Sequence, residues 1–105
     1  MDYLDILEKT PDEAIPADRW VVDFSPRLVG TEAVTSAAVT VTDRADNSDV
    51  TAALTSGSAQ ISGALVGIAF EAGTEGHAYE VKVQAITDSG GVYEEFFAFR
   101  VTTPE

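Results

Sequence analysis

The chain has 105 residues, of which 45% are hydrophobic, and it contains no cysteine. This length suits one packed domain, and the lack of cysteine excludes disulfides, zinc–thiolate sites and cysteine nucleophiles. It also favours folding in a reducing cytoplasm. Eighteen acidic residues against six Lys and Arg give a formal net charge of −12. This charge argues against nucleic acid and anionic membranes as partners, and leaves solubility or an acidic face for a basic partner.

The first segment, residues 1–17, is expected to form a short N-terminal arm. Four apolar side chains have the spacing of one helix face: Tyr3, Leu4, Ile6 and Leu7. Pro11 and Pro16 prevent a long helix, so a turn or two of helix must pack on its own domain or on a partner. The start of the chain lacks the basic-then-apolar order of a signal peptide, so we expect cytoplasmic synthesis without secretion.

From Arg19 onward the hydrophobic period becomes two, which is typical of β-strands. Segments with this alternation start at Trp20, Ala37, Val50, Ala59, Val66, Tyr79 and Val92. Turn signals separate them, and Asp88-Ser89-Gly90-Gly91 has the composition of a tight hairpin. About seven short strands at this spacing predict an all-β immunoglobulin-like or fibronectin-like β-sandwich over residues 18–105.

Two aromatic residues are expected to hold this scaffold. A glycine corner at Gly76 precedes Tyr79, and alternating residues follow, which is the pattern of a tyrosine corner. We expect the Tyr79 ring in the core and its hydroxyl bonded to backbone a few residues upstream. Trp20 has inward parity in the first strand, which predicts a core position rather than a binding role.

The sequence contains no convincing catalytic or metal-binding constellation. The Asp43–Asp49 loop is rich in oxygen ligands, but its spacing does not fit an EF-hand. A solvated turn, in which Asp and Asn bond nearby backbone, explains it better than calcium binding does. His77 is the only histidine. Glu94 and Glu95 are neighbours, so they point to opposite faces of a strand and cannot act as a pair. We therefore predict no enzyme activity and no cofactor.

Phe96 is predicted to lie on the outer face of the last strand, opposite in parity to Phe97 and Phe99. An aromatic residue on an outer sheet face often marks a protein contact. The alternative is that the N-terminal arm covers it, with Leu4 or Ile6 as the lid. The predicted partner interface therefore comprises Phe96 and the arm residues Tyr3, Leu4, Ile6 and Leu7.

Four motifs occur in an order that resembles the fibre-tail adaptor family of small immunoglobulin-like phage virion proteins. They are Lys9-Thr10-Pro11-Asp12-Glu13, Asp23-Phe24-Ser25-Pro26-Arg27-Leu28, Gly73-Thr74-Glu75-Gly76-His77-Ala78-Tyr79-Glu80-Val81 and Phe97-Ala98-Phe99-Arg100-Val101. The resemblance covers Lys9 to Val101. The first eight residues lie outside it, and Ile15-Pro16 interrupts the approach to the first strand.

This resemblance implies a non-enzymatic structural or adaptor protein of a phage or prophage virion, in its tail, neck or fibre attachment. Its partners would be other virion proteins, with a homo-oligomer as a further possibility. The protein would be made in the cytoplasm of the host bacterium and incorporated into the virion. The alternative from the residues is an immunoglobulin-like module that binds carbohydrate or a cell surface.

Overall fold

The computed structural model describes residues 6–103, and it describes side chains from Leu7 onward. Within this range the backbone forms eight β-strands, one helical turn and one 3-10 turn. The strands are β1 (Ile6–Lys9), β2 (Val21–Asp23), β3 (Val34–Asp43), β4 (Ser48–Asp49), β5 (Thr55–Ser62), β6 (Leu65–Phe70), β7 (Ala78–Thr87) and β8 (Val92–Val101). The helical turn α1 spans Thr51–Leu54, and the 3-10 turn spans Ser25–Arg27.

The strands form two sheets that enclose one hydrophobic core. The five-stranded sheet has the order β1-β8-β7-β3-β4, and the three-stranded sheet has the order β2-β6-β5. Strand β1 runs parallel to β8, and the other neighbours are antiparallel. The grouping of β3, β7 and β8 against β2, β6 and β5 is that of an immunoglobulin-like sandwich. The predicted fold class is therefore confirmed.

Strand β7 shows how alternation builds the core. Val81, Val83 and Ala85 are buried. Lys82 and Gln84, which lie between them in sequence, are half-buried on the outer face. Because successive side chains of a strand point to opposite faces, the apolar set reaches the core only in this register.

Aromatic rings join the two sheets at the centre of this core. The Trp20 ring lies 5.5 Å from that of Phe70 and 5.4 Å from that of Phe99. Phe70 meets Phe97 edge-on at 6.0 Å. Tilted and edge-on pairs of this kind add about 0.5–1.5 kcal/mol each beyond the area that they bury.

The prediction of helix in the N-terminal arm is wrong for residues 6–9. They form β1, which pairs with Ala98–Val101 of β8. A single helical turn is not stable alone, whereas the edge of β8 offers partners for the backbone N–H and C=O groups of this segment. Tyr3 and Leu4 lie outside the described residues.

The prediction of a strand from Val50 to Leu54 is also wrong, because Thr51–Leu54 form α1. The Asp49 carboxylate accepts hydrogen bonds from the Thr51 backbone N–H at 3.0 Å and the Thr51 hydroxyl at 2.7 Å. Short polar side chains that bond nearby backbone in this way favour turns over strands. Leu54 still reaches the core, where 5% of its surface is exposed.

The segment that connects β1 to β2 lies on the sandwich and contacts β6 of the three-stranded sheet. Ile15 and Phe70 exchange two backbone hydrogen bonds, of 2.8 and 2.9 Å. The Ala17 carbonyl lies so close to Gly67 that a Cβ added there would be 2.0 Å from its oxygen. The boundary between an arm of residues 1–17 and a domain of residues 18–105 stays a prediction.

Candidate protein interface along strand β8

The lower end of the sandwich, where β1 and β8 end and β7 begins, is closed by a buried tyrosine. The Tyr79 hydroxyl accepts a hydrogen bond from the Thr74 backbone N–H at 2.9 Å. The ring stacks on Phe99 with centroids 5.2 Å apart, and 1% of the residue is exposed. This is the geometry of a tyrosine corner, and it serves the scaffold.

A buried lysine fastens β1 at the same end. Lys9 is 2% exposed, and its ammonium donates to the Thr10 carbonyl at 2.7 Å and to the Ala72 carbonyl. Ala72 has a φ of 59°, an uncommon conformation for alanine, and its carbonyl is one of the two that Lys9 binds. Burial lowers the pKa of Lys9, while the charges of Glu13 and Asp12 oppose that shift.

The residues that follow Lys9 form a turn, which the Glu13 side chain closes by a hydrogen bond to the backbone. The Thr10 backbone N–H donates to the Glu13 carboxylate at 2.7 Å, and the Glu13 backbone N–H donates to the Thr10 carbonyl at 3.2 Å. The Lys9–Glu13 motif therefore has a structural explanation. Its lysine binds the sandwich, and its glutamate closes the turn that leads the chain away from β1.

The two halves of β8 have different neighbours. Strand β7 pairs with β8 from Val92 to Arg100, whereas β1 pairs only with Ala98–Val101. Among residues 6–103, no second strand therefore lies beside the stretch from Val92 to Phe97. We call this stretch the open edge of β8.

The backbone groups at the open edge follow from the alternation of an antiparallel ladder. The Val101 N–H donates to the His77 carbonyl at 3.0 Å, and the Thr87 N–H donates to the Gly91 carbonyl at 2.9 Å. Hydrogen-bonded residues alternate along an antiparallel strand. Every second residue from Gly91 to Val101, which means the odd-numbered residues of β8, therefore forms its backbone hydrogen bonds with β7. The even-numbered residues of the open edge, Val92, Glu94 and Phe96, therefore direct N–H and C=O groups away from β7.

The outer face of β8 carries Phe96 in a partly polar setting. Phe96 is half-buried and pairs with Lys82 of β7. The Glu94 carboxylate accepts a hydrogen bond from the Gln84 amide at 3.2 Å and lies 3.7 Å from the Lys82 ammonium. Ile6 pairs with Ala98 through its backbone. The two alternatives given from the sequence, Phe96 as a protein contact and Phe96 covered by the N-terminal arm, therefore both stay predictions.

Leu7, another predicted interface residue, is half-buried and packs against the core. Its strand partner is Phe99, which is fully buried. This packing gives Leu7 a role in holding β1 on the sheet, whatever else the segment contacts.

Arg27 lies across the open edge from the loop before β3. Its guanidinium forms a 2.5 Å ion pair with the Glu95 carboxylate and donates to the Glu94 carbonyl at 3.3 Å. The same guanidinium lies 5.4 Å from the centre of the Tyr93 ring. One side chain therefore neutralises an inward carboxylate of β8 and occupies one of the edge carbonyls.

The upper end of the sandwich, where β7 turns into β8, is organised by Glu32. One carboxylate oxygen accepts from the hydroxyls of Ser89 at 2.5 Å and Thr87 at 2.6 Å. The other accepts from the Tyr93 hydroxyl at 3.0 Å and the Val29 backbone N–H at 3.1 Å. The hydroxyl bonds from Ser89 and Thr87 are the main cause that lowers the pKa of Glu32 to about 2. The bond to Glu32 raises the pKa of Tyr93.

The hydrogen bonds to Glu32 occupy the polar groups that a sugar would need at the upper end. The hydroxyl of Tyr93 is bonded to Glu32, and Arg27 lies over its ring. Sugar-binding sites commonly offer a free aromatic face and unoccupied polar groups. The upper end therefore does not favour the carbohydrate alternative.

The aspartates of the Asp43–Asp49 loop bond nearby donors. Asp46 accepts from the Ser48 backbone N–H at 3.0 Å, and Asp43 accepts from the Ala45 backbone N–H at 2.9 Å and from His77 Nδ1 at 2.9 Å. Within the described part of the chain, no group of three His, Asp or Glu side chains converges as metal ligands. Nor does any described helix have the length and apolarity to cross a membrane.

Sequence reasoning missed Lys9, Arg27 and Glu32 as organising residues. In the sequence, only Glu95 indicated that one of these residues was needed. A carboxylate on the inward face of a strand requires a cation nearby, and the chain has six Lys and Arg in total. Periodicity could not identify that cation, since Arg27 lies in a loop 68 residues away in sequence. Glu32 likewise joins segments 55 to 61 residues apart.

The fold and these contacts define a small immunoglobulin-like β-sandwich in which polar side chains hold strands and loops in place. Compared with known families, residues 9–100 match the model of the podophage GP4 fiber-tail adaptor protein gp77. The chain belongs to this family of phage tail adaptors, which confirms the resemblance seen in the motifs. No curated protein matches the chain.

Proposed function

We propose that this protein joins parts of a phage or prophage virion at the tail, neck or fibre attachment by protein–protein contacts, without catalysing a reaction. The family match over residues 9–100 is the observation that carries this proposal. Other virion proteins are the partners that an adaptor requires. Synthesis in the host cytoplasm and assembly as a homo-oligomer belong to the same proposal.

The interface we propose comprises the outer face around Phe96 and the N-terminal residues Tyr3, Leu4, Ile6 and Leu7. Phe96 is half-buried, and the outer face near it also carries Ile86 and Val92, which are 38% and 55% exposed. Apolar groups on an outer sheet face, surrounded by polar ones, are the usual composition of a protein contact. This composition supports the proposal.

The experiment is complementation of a phage that lacks this gene product, with quantification of the protein in purified particles. Phe96→Thr removes the ring and introduces a β-branched residue, which suits a strand. We expect about tenfold less protein in particles, the size of a hot-spot loss. Leu65→Thr is the matched control, since Leu65 is 39% exposed on the other sheet. We expect it to be incorporated like the wild type.

The outcomes separate the two parts of the proposal. If the wild-type protein is absent from purified particles, the adaptor function is wrong. If Phe96→Thr and Leu65→Thr both fold and are incorporated equally, the adaptor function stands and the assignment of the interface to Phe96 is wrong. Thermal unfolding of both variants shows that a loss of incorporation is not a loss of folding.

A further inference from the structure

We propose that copies of this chain contact one another through the side of the sandwich where β3 of one sheet faces β5 of the other. We call this side the β3–β5 margin, and its core-facing residues are Ala37, Val39, Ala59 and Ile61. The inference deepens the proposed function and rests on its homo-oligomeric part. It assigns the contact between copies to a surface that neither the sequence motifs nor the family match identifies.

The first support is that apolar side chains on this margin face the core and yet remain exposed. Ile61 of β5 pairs with Val66, and Val39 of β3 pairs with Val83. Both partners are buried, and directly paired residues share a face of the sheet. Ile61 is nevertheless 37% exposed, and Val39 is half-buried. The described strands therefore cover the core incompletely along the β3–β5 margin.

The second support is that both strands of this margin lack charge. Residues 33–42 and 50–70 contain no Asp, Glu, Lys or Arg, and they include all of β5 and all of β3 except its last residue. The opposite margin, between β8 and β2, carries Asp23, Arg27 and Glu95. The net charge of −12 is therefore distributed over other parts of the molecule.

The residues that the structure leaves undescribed do not extend to this margin. Ile6 lies in β1, three strands away from β3, which is about 14 Å at roughly 4.8 Å per strand. Five residues span at most about 18 Å when fully extended, which is too short to cross three strands and then follow β3. The two residues after Thr103 span about 7 Å, whereas β8 is about 10 Å from β3. The exposure of the β3–β5 margin therefore depends on described residues.

The distribution of charge favours a second copy as the occupant. A net charge of −12 attracts basic partners, but an uncharged margin offers them no carboxylate to bind. Two copies of the chain repel each other wherever their carboxylates meet, and the centre of this margin has none. Asp43, at the end of β3, lies five residues or about 17 Å from Ala38. This separation exceeds the screening length of about 8 Å at physiological salt.

The backbone of β3 adds polar groups to the same margin. The Val50 N–H donates to the Val41 carbonyl at 2.9 Å, and the Val41 N–H donates to the Thr51 hydroxyl at 2.8 Å, so Val41 is directed away from β7. By the alternation of an antiparallel ladder, Ala37 and Val39 direct their N–H and C=O groups the same way. An edge strand without charged residues or proline lacks the usual protection against pairing. These groups can therefore bond a strand of a neighbouring copy.

The size of the margin indicates a weak contact. The stretch from Ser36 to Thr40 is about 17 Å long, and packed sheets are about 10 Å apart. Such a surface buries a few hundred Å², less than the roughly 800 Å² per partner of a stable complex. We expect a Kd on the order of 0.1–1 mM. Copies held in one particle reach effective concentrations of about 1 mM, at which this contact forms.

The first experiment is an NMR concentration series of the purified protein, from about 0.05 to 2 mM, at about 50 and 500 mM NaCl. We expect concentration-dependent amide shifts in β3 and β5, with those of β8 unchanged. Salt should tighten the contact about fivefold, because it screens the repulsion between two acidic copies. A protein that stays monomeric at high salt, shifts confined to β8, or a contact that salt weakens would overturn the proposal.

A matched pair of isoleucines provides the test by substitution. Ile61→Glu places a carboxylate on the margin, and Ile86→Glu is the control because Ile86 is 38% exposed on the outer face of the other sheet. Both variants change the net charge equally, and thermal unfolding checks that both fold. We expect the Kd for self-association to rise at least about tenfold for Ile61→Glu and to stay unchanged for Ile86→Glu. Equal self-association of the two folded variants would overturn the proposal.

Cross-linking provides a test that requires no charge in the margin. Because the chain has no cysteine, Ile61→Cys and Ile86→Cys each carry one thiol. A short bis-maleimide should link Ile61→Cys into dimers at least about fivefold more efficiently than Ile86→Cys, since it joins thiols that the contact brings together. Equal or reversed yields would contradict a contact through the β3–β5 margin.

The outcomes distinguish this inference from the function on which it rests. If the wild-type protein is incorporated into particles but Ile61→Glu and Ile86→Glu self-associate alike, the contact between copies is wrong while adaptor function stands. If the wild-type protein self-associates through the margin but is absent from purified particles, the adaptor function is wrong and the contact stands.

Discussion

Between Ala98 and Val101, β8 is paired on both sides, with β7 and with β1, whereas between Val92 and Phe97 its only described strand neighbour is β7. The paired half is fastened by buried groups, the Lys9 ammonium and the Tyr79 ring. The open half is organised by the more exposed side chains of Glu32 and Arg27. The contrast indicates that, among the described residues, buried groups hold one half of the strand and exposed polar groups surround the other.

The largest effect is expected at Lys9, which tests whether buried hydrogen bonds hold the paired half. Lys9→Met keeps the length of the side chain but leaves the Thr10 and Ala72 carbonyls without this donor. A buried polar group left unsatisfied costs about 1–3 kcal/mol. We expect the melting temperature to fall by roughly 4–8 °C for each kcal/mol, as measured by thermal unfolding.

Glu8→Gln provides the control for this prediction, since Glu8 neighbours Lys9 in β1 and its side chain is exposed. Substitutions at exposed positions usually change stability by less than about 0.5 kcal/mol. If Lys9→Met melts at the same temperature as Glu8→Gln, the Lys9 side chain does not fasten β1. The contrast between the two halves of β8 would then rest on backbone pairing alone.

A smaller, pH-dependent effect is expected at Glu32, which organises the open half. Because the pKa of Glu32 is lowered to about 2 in the folded protein, its ionised form contributes stability above its ordinary pKa of 4.5. That contribution is lost as the pH falls from 4.5 towards 2. We expect Glu32→Gln to melt a few degrees below the wild type at pH 7, with the difference shrinking towards zero near pH 2.

The pH series also needs a matched acid, and Glu75→Gln is suitable because Glu75 is exposed at the lower end. We expect it to follow the wild type across the whole pH range. A Glu32→Gln difference that persists unchanged down to pH 2 would mean that the packing of the side chain matters and its charge does not. The open half would then not be held by ionised groups.

Much of this fold could be predicted from the sequence because its strands obey one local rule. The alternation around Val81 and Val83 fixes which face is buried, and Asp88 to Gly91 mark the hairpin. The segment around Ile6 was mispredicted because four residues at helical spacing carry little information without the β8 edge beside them. Thr51 to Leu54 were mispredicted because a side-chain bond from Asp49 overrides the alternation.

The candidate interface could be predicted only in part, for a related reason. Parity alone places Phe96 on the face opposite to Phe97. The pairing of β1 with Ala98–Val101 depends on the three-dimensional position of Lys9 and its carbonyl partners. Arg27 and Glu32 act across long sequence separations, which no local pattern encodes.

The most direct test of the central claim is amide hydrogen exchange, measured residue by residue by NMR on the isolated monomer. We predict that the Glu94 amide exchanges fast, while the amides of Glu95, bonded to β7, and Arg100, beside β1, exchange slowly. Equal protection of Glu94 and Arg100 in the isolated monomer would contradict the account.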